Sequence, residues 1–142
     1  MEDPYDLERF VSAQSECFAA VLSELGAGHK RTHWMWFVFP QLRGLGSSAR
    51  SEHFGIRSTD EARAYWGHPV LGDRLRRCVG LVLAVDGRSA RQIFGSPDDL
   101  KFCSCMTLFA TAVPEESSFP VALDRYFAGD MDRRTLEMLR GR

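Results

Sequence analysis

At 142 residues the chain has the length of one domain with one core. A formal net charge of −1, from 18 Lys+Arg and 19 Asp+Glu, excludes a general nucleic-acid binder, whose surface carries a clear basic excess. No apolar run approaches the roughly 20 residues of a membrane span, and the start Met1-Glu2-Asp3-Pro4 lacks the basic and apolar regions of a signal peptide, so a cytoplasmic protein without membrane contact is expected.

Leu7, Phe10, Val11, Phe18, Val21, Leu22 and Leu25 recur at helical spacing. They predict one helix from Asp6 to Leu25, ended by Gly26 and Gly28. Gln14 interrupts this stripe, and a buried amide there must satisfy a backbone group or face a polar cavity. The run His33-Trp34-Met35-Trp36-Phe37-Val38-Phe39-Pro40-Gln41 is continuously apolar, so its periodicity does not separate strand from helix. With no partner strand evident, it reads as a short buried helix within His33 to Leu42, ended by Pro40. Arg43 to Ser48 is a flexible loop, and Ser48 to Phe54 a short helix. Ser58 and Glu61 have the spacing of a capping box and start a helix over Asp60 to Trp66. Pro69 suits the first turn of the next helix, which runs to about Val85 and stops at Asp86-Gly87. Ser89 caps Ala90 to Phe94, closed by Gly95. Ser96-Pro97-Asp98-Asp99 places a capping Ser, a Pro at N1 and acids in the first turn of a helix reaching about Ala112. Val121 to Phe127 and a last helix starting at Asp130 or Asp132 complete an all-α chain, several short helices around one core. No repeat or linker divides residues 1–142.

Cys17, Cys78, Cys103 and Cys105 lack C-x-x-C spacing and read as buried free thiols. The four histidines are dispersed, without metal-ligand spacing, and there is no P-loop, nucleophile elbow or dinucleotide fingerprint. No metal or cofactor is therefore expected. The aromatic segment carries the strongest signal. Phe37 and Phe39 read as core. Trp34 and Trp36 offer faces that stack on planar bases, with His33 and Gln41 hydrogen-bonding at the rim and His33 able to shuttle a proton. On the Pro97 helix, Lys101, Ser104 and Thr107 share one side, where an ammonium and hydroxyls can hold a phosphate or carboxylate. The plainer reading is that helical hydroxyls bond back to the preceding turn. Glu61, Tyr65 and His68 form a third polar set. Glu61 is first a cap, and otherwise the best general base in the chain. Lys30, in the basic cluster His29-Lys30-Arg31, and Ser47, in the loop Gly44-Leu45-Gly46-Ser47, complete the ligand-binding candidates.

The segment Lys30 to Leu42, together with Gly44-Leu45-Gly46-Ser47, Glu61-Ala62, His68-Pro69, Leu71-Gly72, Gly95, Asp98, Lys101-Phe102, Ser104, Met106-Thr107-Leu108-Phe109 and Gly129, resembles domain-of-unknown-function family 1810. The resemblance extends over nearly the whole chain, and H-W-M-W-F-x-F-P-Q is its most specific part. It implies a compact, mainly helical fold in a bacterial cytosol. It implies no established activity, although its context points to ADP-ribose-related ligands.

Two readings follow. In the first, a pocket binds or hydrolyses a nucleotide-like ligand: Trp34 and Trp36 stack, Lys101 and Ser104 hold an anionic group, and His33 or Glu61 transfers protons. In the second, the chain is a non-catalytic protein-interaction module, and the aromatic segment is structural core. The first requires the side chains of Gln14, His33, Gln41, Lys101 and Ser104 to converge on one cavity. In either case a monomer or weak homodimer is expected.

Overall fold

The apolar segment after Pro97 forms the centre of the molecule. In the computed structural model, which describes residues 2–141, it is α8 (Asp98–Ala112), buried without interruption from Phe102 to Phe109. A helix that is apolar all round is covered all round. Here α5 (Thr59–Gly67), α7 (Ala90–Phe94), α9 (Ser118–Phe127) and α10 (Arg133–Arg140) pack on it. Its hydroxyls are satisfied within the helix. Ser104, Thr107 and Thr111 donate to the carbonyls of Leu100, Cys103 and Thr107 at 3.1, 2.8 and 2.8 Å. Thr107 Oγ1 also accepts the Asp132 N–H at 2.8 Å, which ties α8 to the start of α10.

The far side is closed by α6 (Leu71–Leu83), which packs on α2 (Phe18–Gly26), α5 and α9. Ten helices and no strand occur among the described residues, so the all-α expectation is met. The buried side chains form one cluster, with Phe10, Trp34, Phe39, Tyr65, Phe102 and Phe109 among its largest members. All four cysteines are free thiols, three of them buried. No helix among the described residues is long and apolar enough to cross a membrane.

Local chemistry sets most helix starts. Ser48, Ser58, Ser89 and Asp132 accept the N–H of Ser51, Glu61, Gln92 and Thr135, each such cap contributing about 1 kcal/mol. Two expectations need correction. Ser96 does not cap α8; Pro97 occupies that position, and the Asp99 N–H goes to the Gly95 carbonyl at 2.9 Å. The helix expected from Asp6 to Leu25 is two, α1 (Glu8–Ser15) and α2. Ser15 Oγ and Cys17 Sγ donate back to the carbonyls of Val11 and Ala13 at 2.7 and 3.7 Å, which competes with the helical ladder where α1 ends. The break lets Phe10 on α1 and both Val21 and Leu25 on α2 reach the core.

Glu24 stands near the C-terminal end of α2, where a helix disfavours an acid, and it is nonetheless buried. Its Oε1 accepts the N–H groups of Arg31 (2.7 Å) and Thr32 (2.9 Å) and the indole N–H of Trp34 (3.0 Å). Its Oε2 accepts the Thr32 hydroxyl at 2.6 Å. Burial alone raises its pKa. The Thr32 hydroxyl, the two backbone donors and the Trp34 indole outweigh that and hold it at about 2, against an ordinary 4.5. The chain after α2 thus folds around one carboxylate and is delivered at a fixed place into the aromatic segment. A folded pKa below the unfolded one gives stability that is present above pH 4.5 and lost as pH falls toward 2. Glu24→Gln is expected to lose about 1.5–3 kcal/mol at neutral pH. Its stability–pH curve, followed by denaturant unfolding, is expected to be flatter than that of the unmodified chain between pH 4.5 and 2.

Candidate functional site

The aromatic segment turns once as α3 (Met35–Val38) and leaves the helix at Phe39, ahead of Pro40. Successive residues of a helix are about 100° apart, so the two faces of this single turn separate its side chains. Trp34, Met35, Val38 and Phe39 are buried, while Trp36 and Phe37 are half-buried. Immediately afterwards the Ile56 N–H donates to the Gln41 carbonyl (2.9 Å) and the Arg43 N–H to the Ile56 carbonyl (2.7 Å). This isolated parallel bridge closes the excursion that contains α4 (Ala49–Phe54) and lays α4 beside α3.

A cleft opens where α3, α4 and α8 meet, lined by Met35, Trp36, Phe39, Gln41, Ser51, Phe54, Gly55 and Lys101. Its interior is narrow, about 10 Å³, and about 240 Å³ with the open mouth included; the interior has room for about one water molecule. Lys101 Nζ lies 5.1 Å from the Trp36 ring centroid, and the Arg50 guanidinium carbon 5.0 Å from it. Both distances are within the range in which a cation is attracted to an indole face. A loop glycine presses on the rim: a Cβ at Gly46 would collide with Ser51 Oγ and lie 3.7 Å from Gln41 Nε2. Behind the cleft, Asp98 Oδ1 is 3.6 Å from Lys101 Nζ, and its Oδ2 is 2.9 Å from Lys30 Nζ. Lys30 also donates to the Thr32 carbonyl at 2.6 Å and sits 5.1 Å from the Trp34 ring centroid.

Of the residues singled out in the sequence, Trp36, Gln41 and Lys101 meet in this cleft, and the others lie elsewhere. The five side chains required to converge do not. Gln14 is buried, donating to the Phe37 carbonyl (2.6 Å) and the Tyr65 hydroxyl (2.8 Å), so it satisfies a backbone group rather than facing a cavity. Tyr65 is fully buried with it, and burial pushes its hydroxyl far above the ordinary range. Trp34 is 1% exposed, with its indole on Glu24. His33 and Ser47 are exposed. Ser104 and Thr107 bond to their own helix, and Lys30 is held at Asp98. His68 Nδ1 accepts the N–H groups of Val70 and Leu71 at 3.1 and 3.2 Å. It lines a separate cleft of about 530 Å³ with Glu2, Asp3 and Glu8, whose charge repels anions.

Glu61 answers the question of cap or base. Its N–H is bonded to Ser58 Oγ at 3.1 Å, and its carboxylate is fully buried. Oε2 takes Arg9 Nη2 at 2.8 Å, and Oε1 takes both the N–H and the Nε of Arg57 at 3.2 Å. The side chain therefore does not reach back to complete a capping box. Arg9 donates in addition to the carbonyls of Tyr5, Asp6, His53 and Gly55, so this pair pins the N-terminal segment to the end of α4. Sequence reasoning missed Arg50, Ser51 and Asp98. Ser51 follows the Ser48 cap and Asp98 opens α8, but nothing local signals that tertiary packing brings them to Trp36 and Lys101.

The chain matches the model of a family described as protein of unknown function (DUF1810) over residues 4–139. The crystal structure of the conserved hypothetical protein Rv1873 from Mycobacterium tuberculosis is similar to it, with a TM-score of 0.96 and 56% identity over 97% of this chain and 99% of that one. No curated protein matches.

The buried Arg9–Glu61 pair gives a direct check on the role of Glu61. Removing one partner leaves an uncompensated charge, so Glu61→Gln is expected to cost about 3 kcal/mol in a urea titration at neutral pH. A loss below about 0.5 kcal/mol would contradict a structural role for Glu61.

Proposed function

The chain belongs to the DUF1810 family, and on that premise we propose that it is a binding protein for a small ligand with a planar ring and an anionic group, of the nucleotide-like class. The ring covers Trp36 at the mouth of the cleft, displacing a cation that lies over the indole in the free chain. The anionic group is held by Lys101 and Arg50, and Gln41 and Ser51 supply polar contacts. The carrying observation is the convergence of two cations on one half-buried indole beside a cleft that also holds an amide and a hydroxyl. Cations gathered at an aromatic face suit phosphate or carboxylate recognition, and the face suits a planar base.

The size of the cleft narrows the ligand. An interior of about 10 Å³ is far below the roughly 300–1,000 Å³ of sites that enclose drug-sized molecules. It suits one ring or one anionic group held at the surface, not an enclosed dinucleotide. The lining contains no His, Asp or Glu, and Glu61 is committed to two arginines. Support therefore favours binding over hydrolysis.

A thermal-shift series with adenosine, AMP, ADP-ribose and inorganic phosphate tests this. A ligand at about 100 times its dissociation constant stabilises the chain by roughly 2.7 kcal/mol. AMP or ADP-ribose is expected to shift the melting temperature, and adenosine to do so less. The shift is expected to vanish in Lys101→Ala and Trp36→Leu while both variants stay folded. A shift that survives in both variants would place the ligand elsewhere, and no shift with any of the four compounds would remove the reading.

A further inference from the structure

The cleft does not hold its lysine uncommitted. Asp98 opens α8 one turn before Lys101 on the same helix, and each of its two carboxylate oxygens faces a different ammonium: Oδ1 is 3.6 Å from Lys101 Nζ and Oδ2 is 2.9 Å from Lys30 Nζ. The three side chains are sheltered, at 25%, 21% and 7% exposure for Lys101, Asp98 and Lys30. Each lysine also lies over a tryptophan, Lys101 over Trp36 and Lys30 over Trp34. One carboxylate is thus shared by two cation–indole pairs. Only one of these, Trp36 with Lys101, lines the cleft. Two ammonium groups against one carboxylate leave a net positive charge, and Arg50 adds to it at Trp36.

From this arrangement we infer that Asp98 is an internal counter-anion which a ligand must outcompete for Lys101, so that it sets the charge selectivity of the site. The inference rests on the proposed ligand cleft. A dianionic group draws Lys101 away from Asp98 more strongly than a monoanionic one, because Coulomb attraction scales with charge. Lys30 tunes the competition. It is the nearer partner of Asp98, and by holding that carboxylate it weakens the grip of Asp98 on Lys101. Removing Asp98 and removing Lys30 therefore act in opposite directions on ligand affinity. A merely structural role for either residue would lower affinity in both cases.

Calorimetric titration of the full chain with AMP, a dianion at pH 7.5, and with the methyl ester of AMP, a monoanionic phosphodiester, tests this. The unmodified chain is expected to prefer AMP. Asp98→Asn is expected to bind both compounds more tightly, by about fivefold for the monoanion, the scale of one partly exposed ion pair, and to show a larger preference for AMP, because the carboxylate it removes repels a dianion more than a monoanion. Lys30→Met is expected to bind AMP about threefold more weakly, on the same scale. Unchanged or weaker affinity in Asp98→Asn, or unchanged or tighter affinity in Lys30→Met, overturns the role of Asp98 while leaving the cleft in place. Absence of binding in all three chains removes the cleft reading and this inference together. If Asp98→Asn does not fold, Asp98→Ser is titrated in its place, with the same expected and overturning results.

Discussion

The Glu24 carboxylate organises the part of the molecule on which the proposed ligand site depends. It gathers two backbone donors, one hydroxyl and one indole within 3.0 Å. None of these donors belongs to its own helix. A lone buried carboxylate is costly, so the turn from Arg31 to Trp34 has one low-energy way to lie against α2. That choice fixes Trp34 in the core. With Trp34 fixed, the single turn of α3 settles where Trp36 points. A charge buried at one end of a helix thereby positions an aromatic face two residues beyond its last partner.

The same logic separates the roles of the two tryptophans. Trp34 stands just outside α3, as its N-terminal cap, whereas Trp36 lies within its single turn. Trp34 takes the core side and spends its N–H on Glu24. Trp36 takes the outer side and meets Arg50, Lys101 and the Gln41 rim. In the proposed reading the aromatic segment is both core and ligand site. The second buried carboxylate, Glu61, does comparable work at the other end of the excursion, where Arg9 and Arg57 close on it. The bridge between Gln41–Arg43 and Ile56 lies between the two. The cleft is thus built on an element braced on both sides by buried charge.

Much of this was legible in the sequence wherever the determinant is local. Ser58, Ser89 and Asp132 mark helix starts because a cap needs only its own next three residues. Pro40 marks a helix end for an equally local reason. What stayed hidden depends on partners distant in the chain. The break after Ser15 was masked because the apolar stripe continues across it. Glu24 reads as a solvated acid until its donors from the following turn are in place. Gln14 stood out as a polar group on a buried stripe, and Glu61 and Tyr65 as polar neighbours, but a sequence does not say whether such groups turn to a ligand or to one another. Here Gln14 turns to Tyr65, and Glu61 to Arg9. Ser104 and Thr107 point inward and are satisfied by their own backbone. Arg50 and Asp98 carry no local signal, since surface charges are common and only tertiary packing sets them beside Trp36 and Lys101.

The central claim is that Trp36, and not its neighbour Trp34, presents the ligand-binding face. The three tryptophan indole N–H groups of the ¹⁵N-labelled chain report on it separately in a two-dimensional NMR titration with AMP. Progressive, saturable movement of the Trp36 indole and Gln41 side-chain amide signals is expected, with the indoles of Trp34 and Trp66 unmoved. Saturable shifts confined to the cleft of Asp3 and His68, or to Trp34 or Trp66 with Trp36 unmoved, would contradict it.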